Sequence, residues 1–412
     1  MLFFLKKIAV LFSYLVYLGY LCSREKLIVK DSMSNQCANS FKLEKIEEDG
    51  HKPYYVIVGT EARKAGDAAY DDLFAAYGMN TASVNKVLRA VKRQLDSPDD
   101  SMIIRLDVVS CYESIDYGML RQLLVADNRL SETTMATLDN IVGAYLDMGA
   151  ERGMPRGVKL TNLLIEIYFE AIDNRIKAMP GLQLYRRYVD DSIAFFSPLE
   201  VEGDAHMLFD KIAAVYNDFG LTLHDPDEFP YKGDIFDTKK NCELSMLGYE
   251  IVMDEQTGKS VWRMPEQRSL VMMFGVKHIF DVFIAGLGNY GAAQTKSDSS
   301  LLSALLASLR NMTSNHIVKL KNGRKIKRGL AFSCNMLTTT LQLQVMDSFL
   351  QKQIERITAD IIPQGFMATG TRHSAEETAA YLRRRCAKFK FMEGYTRYRF
   401  SDAYDTYLFK KK

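Results

Sequence analysis

The stretch Tyr185-Arg186-Arg187-Tyr188-Val189-Asp190-Asp191-Ser192-Ile193-Ala194-Phe195-Phe196 constrains the chain more than any other. It reads as two short strands joined by a tight turn that carries two consecutive aspartates. Side chains alternate faces along a strand, so Asp190 and Asp191 cannot both point the same way along a regular ladder. At a turn, one carboxylate can aim into a cleft while its neighbour sits beside it. Two acids at the tip of an apolar hairpin repel each other unless a cation holds them, and hard divalent ions such as magnesium take oxygen ligands of this kind. The plainer reading is an ordinary hairpin turn, where Asp is common because it tolerates turn geometry. Taken alone the hairpin leaves both readings open, and its surroundings decide between them.

With 412 residues, 47% hydrophobic and 25% charged, the chain has the profile of a folded globular protein of two or three structural units. A formal charge of +2 excludes a polycation, so any nucleic-acid surface must come from local basic patches. Cys22, Cys37, Cys111, Cys242, Cys334 and Cys386 are scattered without a Cys-x-x-Cys pair. That suggests neither a zinc site nor a disulfide framework and fits a reducing, cytoplasmic setting. Residues 1–32 form an apolar N-terminal segment of uncertain status. Its run from Ile8 to Cys22, about 15 residues, is short for a spanning helix. A membrane anchor through residues 1–22, a helix docked on the body, and a true start at Met33 all stay open; a docked or vestigial segment is favoured.

Further along, Tyr54 to Val58 reads as a strand, and Gly59-Thr60-Glu61-Ala62-Arg63-Lys64 as a turn with two cations. Ser83 to Leu95 is an amphipathic helix with Val84, Val87, Leu88, Val91 and Leu95 on one stripe. Its cations Lys86, Arg89, Lys92 and Arg93 read as a solvated face. Met102 to Val109 is an apolar, β-branched run broken by Arg105, expected as a central strand carrying Asp107 out of its C-terminal end. An isolated carboxylate there is expensive to desolvate unless paired or metal-bound. Ser131 is a candidate N-cap for the next helix. Gly153-Met154-Pro155-Arg156-Gly157 is a stiff loop feeding another helix, with Thr161 and Asn162 in its first turn. After the hairpin come a helix stopped by Gly220 and strands at Leu221–Leu223 and Leu244–Ile251. This order is that of an α+β palm rather than an alternating α/β sheet.

From about Pro265 helical stretches dominate, so a division into 33–262 and a basic, helical 263–412 is expected. The second part carries the cation-dense Lys319 to Arg328, read as a loop or hairpin tip. It also holds Arg383-Arg384-Arg385, Lys388-Phe389-Lys390-Phe391 and Tyr395-Thr396-Arg397-Tyr398-Arg399-Phe400. Cations interleaved with aromatics suit phosphates and stacked bases, so nucleic acid is the expected partner.

A palm that sets Asp107 beside the Asp-Asp hairpin gathers three carboxylates at one sheet edge, the chemistry of nucleotide addition with two ions roughly 3.5–4 Å apart. The ordered set resembles the palm motifs of reverse transcriptases. Leu106-Asp107-Val108-Val109-Ser110-Cys111-Tyr112 matches the first catalytic strand, and Gly153-Met154-Pro155-Arg156-Gly157 the supporting loop. Tyr188-Val189-Asp190-Asp191 matches the catalytic hairpin, and Leu247-Gly248-Tyr249 the primer-grip strand. The resemblance implies a right-hand fingers-palm core followed by a mostly α-helical, thumb-like C-terminal domain. It implies Asp107, Asp190 and Asp191 as catalytic acids which, with Val108, hold two magnesium ions, manganese being able to substitute. Asp107 and Asp190 would be the main ligands, with Asp191 assisting.

The resemblance further implies that Tyr112, Pro155, Arg156, Gly157, Arg63 and Lys64 bind the deoxynucleoside triphosphate. Tyr112 would exclude a 2′-hydroxyl and so select a DNA product. Tyr188, Leu247, Gly248, Tyr249, Lys325, Lys327 and Arg328 would contact nucleic acid. Two departures from the family stand out: Arg156 replaces the usual glutamine, and His224-Asp225-Pro226-Asp227 stands where a lysine is expected, leaving Lys232 or Lys239 as its substitute.

The absence of further modules makes the chain similar to the small stand-alone bacterial enzymes, and to the defence-associated or abortive-infection group more than to retron enzymes. That implies RNA-directed DNA synthesis in antiphage defence, with an RNA template or a structured non-coding RNA. Assembly into a homo- or hetero-oligomer, including one with another defence protein, is left open. Two alternatives stay alive: template-independent or protein-primed DNA synthesis, and a catalytically silent RNA-binding scaffold.

Overall fold

The structure is a computed structural model that describes residues 41–47, 52–78, 83–226, 234–288, 295–319, 325–361, 375–396 and 400–402. The N-terminal segment, Lys232 and Arg397-Tyr398-Arg399 lie outside the described residues. The described residues form two compact units. One is drawn from Glu25–Leu247 and Ile251–Ser260, the other from Gly248–Glu250 and Val261–Lys412.

The first unit opens with the antiparallel pair β1 (Lys42–Ile46) and β2 (Tyr54–Val58). The expected cationic turn after β2 is instead the start of α1 (Thr60–Tyr77), an alanine-rich helix closed by left-handed Gly78. In α2 (Val84–Leu95) the Ser83 side chain caps the N-terminus by accepting from the Lys86 amide, and Val87, Leu88, Val91 and Leu95 are buried. Next come β3 (Met102–Leu106), α3 (Cys111–Ser114), α4 (Tyr117–Asp127), α5 (Glu132–Leu146) and α6 (Lys159–Lys177). Ser131 caps α5 as expected. The hairpin is β4 (Leu182–Tyr188) and β5 (Asp191–Phe196), followed by α7 (Ala205–Asp218) and β6 (Asp234–Phe236).

These strands build one antiparallel sheet in the order β4-β5-β3-β6. Alternation divides it cleanly. Met102, Ile104 and Leu106 of β3, with Ala194 and Phe196 of β5, pack into the main core against Leu160, Leu164 and Ile172 of α6 and Leu208 and Ile212 of α7. The opposite face therefore takes Ile103, Arg105, Ile193 and Phe195. Leu221–Leu223 is not a strand: only an isolated bridge joins Leu223 to Val108. The stretch Leu244–Ile251 is also not one strand. Left-handed backbone at Leu247 (φ 47°) and Gly248 (φ 82°) splits it into β7 (Glu243–Met246) and β8 (Tyr249–Met253), which continue to β9 (Ser260–Arg263).

The second unit contains α8 (Glu266–Gly288), α9 (Thr295–Thr313), α10 (Leu330–Ser333), α11 (Leu341–Ile361), α12 (Ala375–Cys386) and α13 (Phe391–Thr396). It is not all helix. The cation-dense stretch is a hairpin of β10 (Asn315–Lys319) and β11 (Lys325–Arg328), with β12 (Phe400–Asp402) pairing parallel to β10. Of the interleaved aromatics, Phe389 and Phe391 are buried, so these two rings offer no stacking surface. Among the described residues no helix is long and apolar enough to cross a membrane.

Candidate active site

The last pair of the β3–β5 ladder is Leu106 with Ser192, so Asp107 and Asp191 are the next residues on the two strands. The hairpin closes on the Tyr188–Asp191 pair, leaving Val189 and Asp190 as a two-residue turn. Val189 has φ 58° and Asp190 stays at negative φ, the pattern of a type II′ turn, whose first position normally belongs to glycine. A β-branched residue there is strained and needs its surroundings to hold it.

Arg187 supplies that hold. Its Nη1 donates to the Val189 carbonyl at 2.9 Å, while its other nitrogens reach Asp173 at 3.0 and 3.1 Å and Glu166 at 2.9 Å. The guanidinium, buried against the Phe169 ring at 4.7 Å, thereby ties the turn to α6. The Tyr185 hydroxyl also donates to Asp173, at 2.9 Å.

On the opposite face of the sheet Arg105 makes a second cationic bridge. Its Nε donates to Asp191 at 3.2 Å and its Nη1 to Asp234 at 3.3 Å. All three side chains are 16% exposed or less. Burial pushes the Asp191 carboxyl up to about 6; Arg105 pulls it back down, and the charges of Asp107 and Asp190 add to the rise. Asp107 and Asp190 are thus close enough for Asp191 to feel both.

Even so, among the described residues no group of three or more His, Cys, Asp and Glu side chains is gathered to hold a metal ion. Asp191 is engaged by Arg105. Beside Asp107, the amide of His224 donates to the Asp107 carbonyl at 2.9 Å and that of Val109 to Thr222 at 2.8 Å. That bridge uses the carbonyls of Asp107 and Thr222, not that of Val108. In kind, the carboxylates of Asp107 and Asp190 with the Val108 carbonyl are the hard oxygen donors magnesium takes, and their crowding of like charge is what a cation relieves.

Tyr112, in the first turn of α3, stands in a second cluster. Its hydroxyl donates to Asn162 at 2.8 Å, and the Arg156 guanidinium lies 4.2 Å from its ring centroid. Arg156 also faces Glu113 at 3.5 Å. The loop reaches this place through Gly153, at φ 98°, where a Cβ would stand 2.6 Å from the Glu113 Cα. Pro155 is buried, and its carbonyl accepts from Thr161 at 3.0 Å. Gly157 backs onto β2: a Cβ there would meet Tyr54 at 3.0 Å, and the Tyr55 amide donates to the Arg156 carbonyl at 2.7 Å.

Other expected residues are placed elsewhere. Arg63 donates to the carbonyl of Ile57 at 2.7 Å and Lys64 pairs with Glu61 at 2.8 Å, local contacts of β2 and α1. Lys239 is 7% exposed and donates to the Ser97 carbonyl and hydroxyl. Tyr188 is half-buried at the end of β4, and burial raises its phenol. Tyr249 is 2% exposed and its hydroxyl donates to the Ser333 carbonyl, while Leu247 and Gly248 are half-buried. Lys325, Lys327 and Arg328 lie on β11; the first two side chains are outside the described residues, and Arg328 is half-buried.

Sequence reasoning missed the roles of Arg105, Arg187, Glu166 and Asp173. The available signal was a cation inside each apolar strand, since a charge at a buried position requires a partner.

No family model matches the chain, and no curated protein matches it in sequence. Among solved structures it is similar to telomerase from Candida albicans in complex with a fragment of telomeric RNA. That likeness has 11% identity and a TM-score of 0.39, covering 83% of this chain and 64% of that one. It is similar to apo telomerase from Candida tropicalis at 10% identity and TM-score 0.40, over 85% of this chain and 69% of that one. It is also similar to an RdRp complex chain at 10% identity and TM-score 0.33, over 70% and 30% of the two chains. The chain therefore spans roughly two thirds of the telomerase chains it aligns with and under a third of the RdRp chain.

Proposed function

We propose that the chain is a nucleotidyltransferase that adds deoxynucleotides to a growing strand, an RNA-directed DNA polymerase with a fingers, palm and thumb arrangement. The observation that carries this reading is the strand pairing that sets Asp107 against the Asp190-Asp191 hairpin, with Tyr112 five residues beyond Asp107 under the Arg156 loop. Asp107, Asp190 and the Val108 carbonyl would hold magnesium, or manganese in its place. The bound ions would acidify the attacking hydroxyl and neutralise charge on the leaving pyrophosphate. On this reading the protein's own residues orient the reactants: Tyr112 would crowd a ribose 2′-hydroxyl, and Arg156 would offer donors to the triphosphate or template. An antiphage role with a non-coding RNA is the biological setting we propose, and it rests on the sequence resemblance alone.

The test is incorporation of labelled deoxynucleotides by purified protein with magnesium or manganese, on a primed RNA template, before and after nuclease treatment. Template-dependent product is expected, and Asp190→Asn is expected to lose about a thousandfold or more, several kcal/mol of transition-state stabilisation. Full activity in that variant removes the assignment. A second reading, synthesis without a template, is favoured by Arg156 standing over Tyr112 in place of a neutral amide. Product that survives removal of all co-purifying RNA supports it.

A further inference from the structure

We infer that the exposed face of α2 is a ridge that grips the sugar–phosphate backbone of a nucleic-acid duplex. The helix carries Lys86, Arg89, Lys92 and Arg93 and no acid. Residues three and four apart share a helix face, so Lys86, Arg89 and Arg93 form one stripe, and all three are exposed. Lys92 stands off that stripe. It is half-buried, pairs with Asp96 at 3.0 Å and donates to the Ser260 hydroxyl at 3.2 Å. Among the described residues no ion pair involves Lys86, Arg89 or Arg93. Other exposed helix cations of the first unit differ: Lys64 meets Glu61 at 2.8 Å, Arg121 meets Asp139 at 2.9 Å and Arg175 meets Asp218 at 2.7 Å. Of the acids that follow α2, Asp96 is held by Lys92 and Ser260, Asp100 by the Thr238 hydroxyl and the Lys239 amide, and Asp99 lies beyond the helix end. Arg93 Nε donates to the Arg89 carbonyl at 3.4 Å, which keeps two like charges one turn apart, a repulsion that a polyanion relieves.

The ridge is stiff and matched in length to its partner. Val87, Leu88, Val91 and Leu95 are fully buried beneath it, Ser83 caps its start, and Gln94 donates to Gln183 of β4 at 3.1 Å. From Lys86 to Arg93 the helix rises about 10 Å, while phosphates follow one another about every 3.4 Å along one strand of a duplex. The stripe therefore spans about three phosphates. The helix has no aromatic residue, so it offers charge without a stacking face. That suits a backbone whose bases are already stacked more than an open single strand.

The experiment measures equilibrium binding of the full chain to an RNA–DNA hybrid, an RNA duplex and a single-stranded RNA of equal length. Salt is varied from about 50 to 200 mM, without nucleotide or divalent metal. The variant carrying Lys86→Gln, Arg89→Gln and Arg93→Gln is expected to lower the log–log salt slope for both duplexes by about 2–3, equally for unrelated sequences. Its slope for the single strand is expected to change by less than about 1. Lys92→Gln, on the same helix, is expected to leave every slope unchanged while lowering the unfolding temperature. Unchanged duplex slopes in the triple variant overturn the proposal. So does an equal loss per charge from Lys92→Gln, which would report net charge alone, or a single-strand loss as large as the duplex loss. The three replaced side chains are exposed, so the triple variant is expected to unfold with wild type. Should it fail to fold, Arg89→Gln alone, expected to lower the duplex slopes by about 1, decides. Binding is read without nucleotide addition, so failure of the polymerase reading leaves this test standing.

Discussion

Tyr112 is held from two sides, by Asn162 at its hydroxyl and by Arg156 over its ring. A phenol fixed in this way is a rigid wall, and rigid walls discriminate by volume. Tyr112→Val is expected to admit ribonucleotides, reducing discrimination against them by about 10- to 200-fold, measured as the ratio of kcat/KM for paired deoxy- and ribonucleotides. Equal discrimination in both proteins would mean that the ring only packs. Asp191 offers a second test at this scale. Its carboxyl is raised to about 6 from an ordinary 3.8, first by burial, so the folded state holds its proton more tightly than the unfolded chain. The sign follows: this contribution is fully present below about pH 4 and is lost as pH rises through about 6. Metal-free wild type should therefore lose about 2–3 kcal/mol relative to Asp191→Asn across that window in denaturant titrations. A flat difference would show that Arg105 fully compensates the burial.

The hairpin is the element on which the site depends, and its strain at Val189 is countered from behind by Arg187. Removing that guanidinium leaves Glu166 and Asp173, both under 15% exposed, without their main partner. Arg187→Met is expected to cost about 3–5 kcal/mol in chemical unfolding, far more than loss of an exposed ion pair. Such elements also show what was legible beforehand. The hairpin, the Ser131 cap and the stop at Gly220 follow from rules acting within a few residues, and each lies where those rules put it. The partner of Arg105 could not be read, because Asp234 is 129 residues away in sequence and meets it only through strand order. α1 was missed for a different reason: Gly59 and the two cations look like a turn until the alanine run to Gly78 is weighed as a whole. The one-strand reading of Leu244–Ile251 failed because left-handed backbone at a leucine leaves no signature in composition.

At the scale of the whole molecule, a net charge of +2 over 412 residues gives no general attraction to a polyanion. Any affinity for RNA must be local, and burial of Phe389 and Phe391 shifts the expectation from stacking toward phosphate contacts. The hairpin of β10 and β11 is the candidate. Replacing Lys325 and Lys327 with glutamate is expected to weaken RNA binding similarly for unrelated sequences and to reduce the log–log salt slope by roughly 0.7–0.9 per lost contact. An unchanged slope would move the binding surface elsewhere. Within the first unit, the Tyr55 amide is bonded to the Arg156 carbonyl, and Gly157 has no room for a side chain against Tyr54. The β1–β2 ribbon is thus bonded to the loop that sets Arg156 over the Tyr112 ring. On the proposed reading, a one-residue insertion in that ribbon would displace the loop over Tyr112 and retune the choice of sugar while every acid stayed in place.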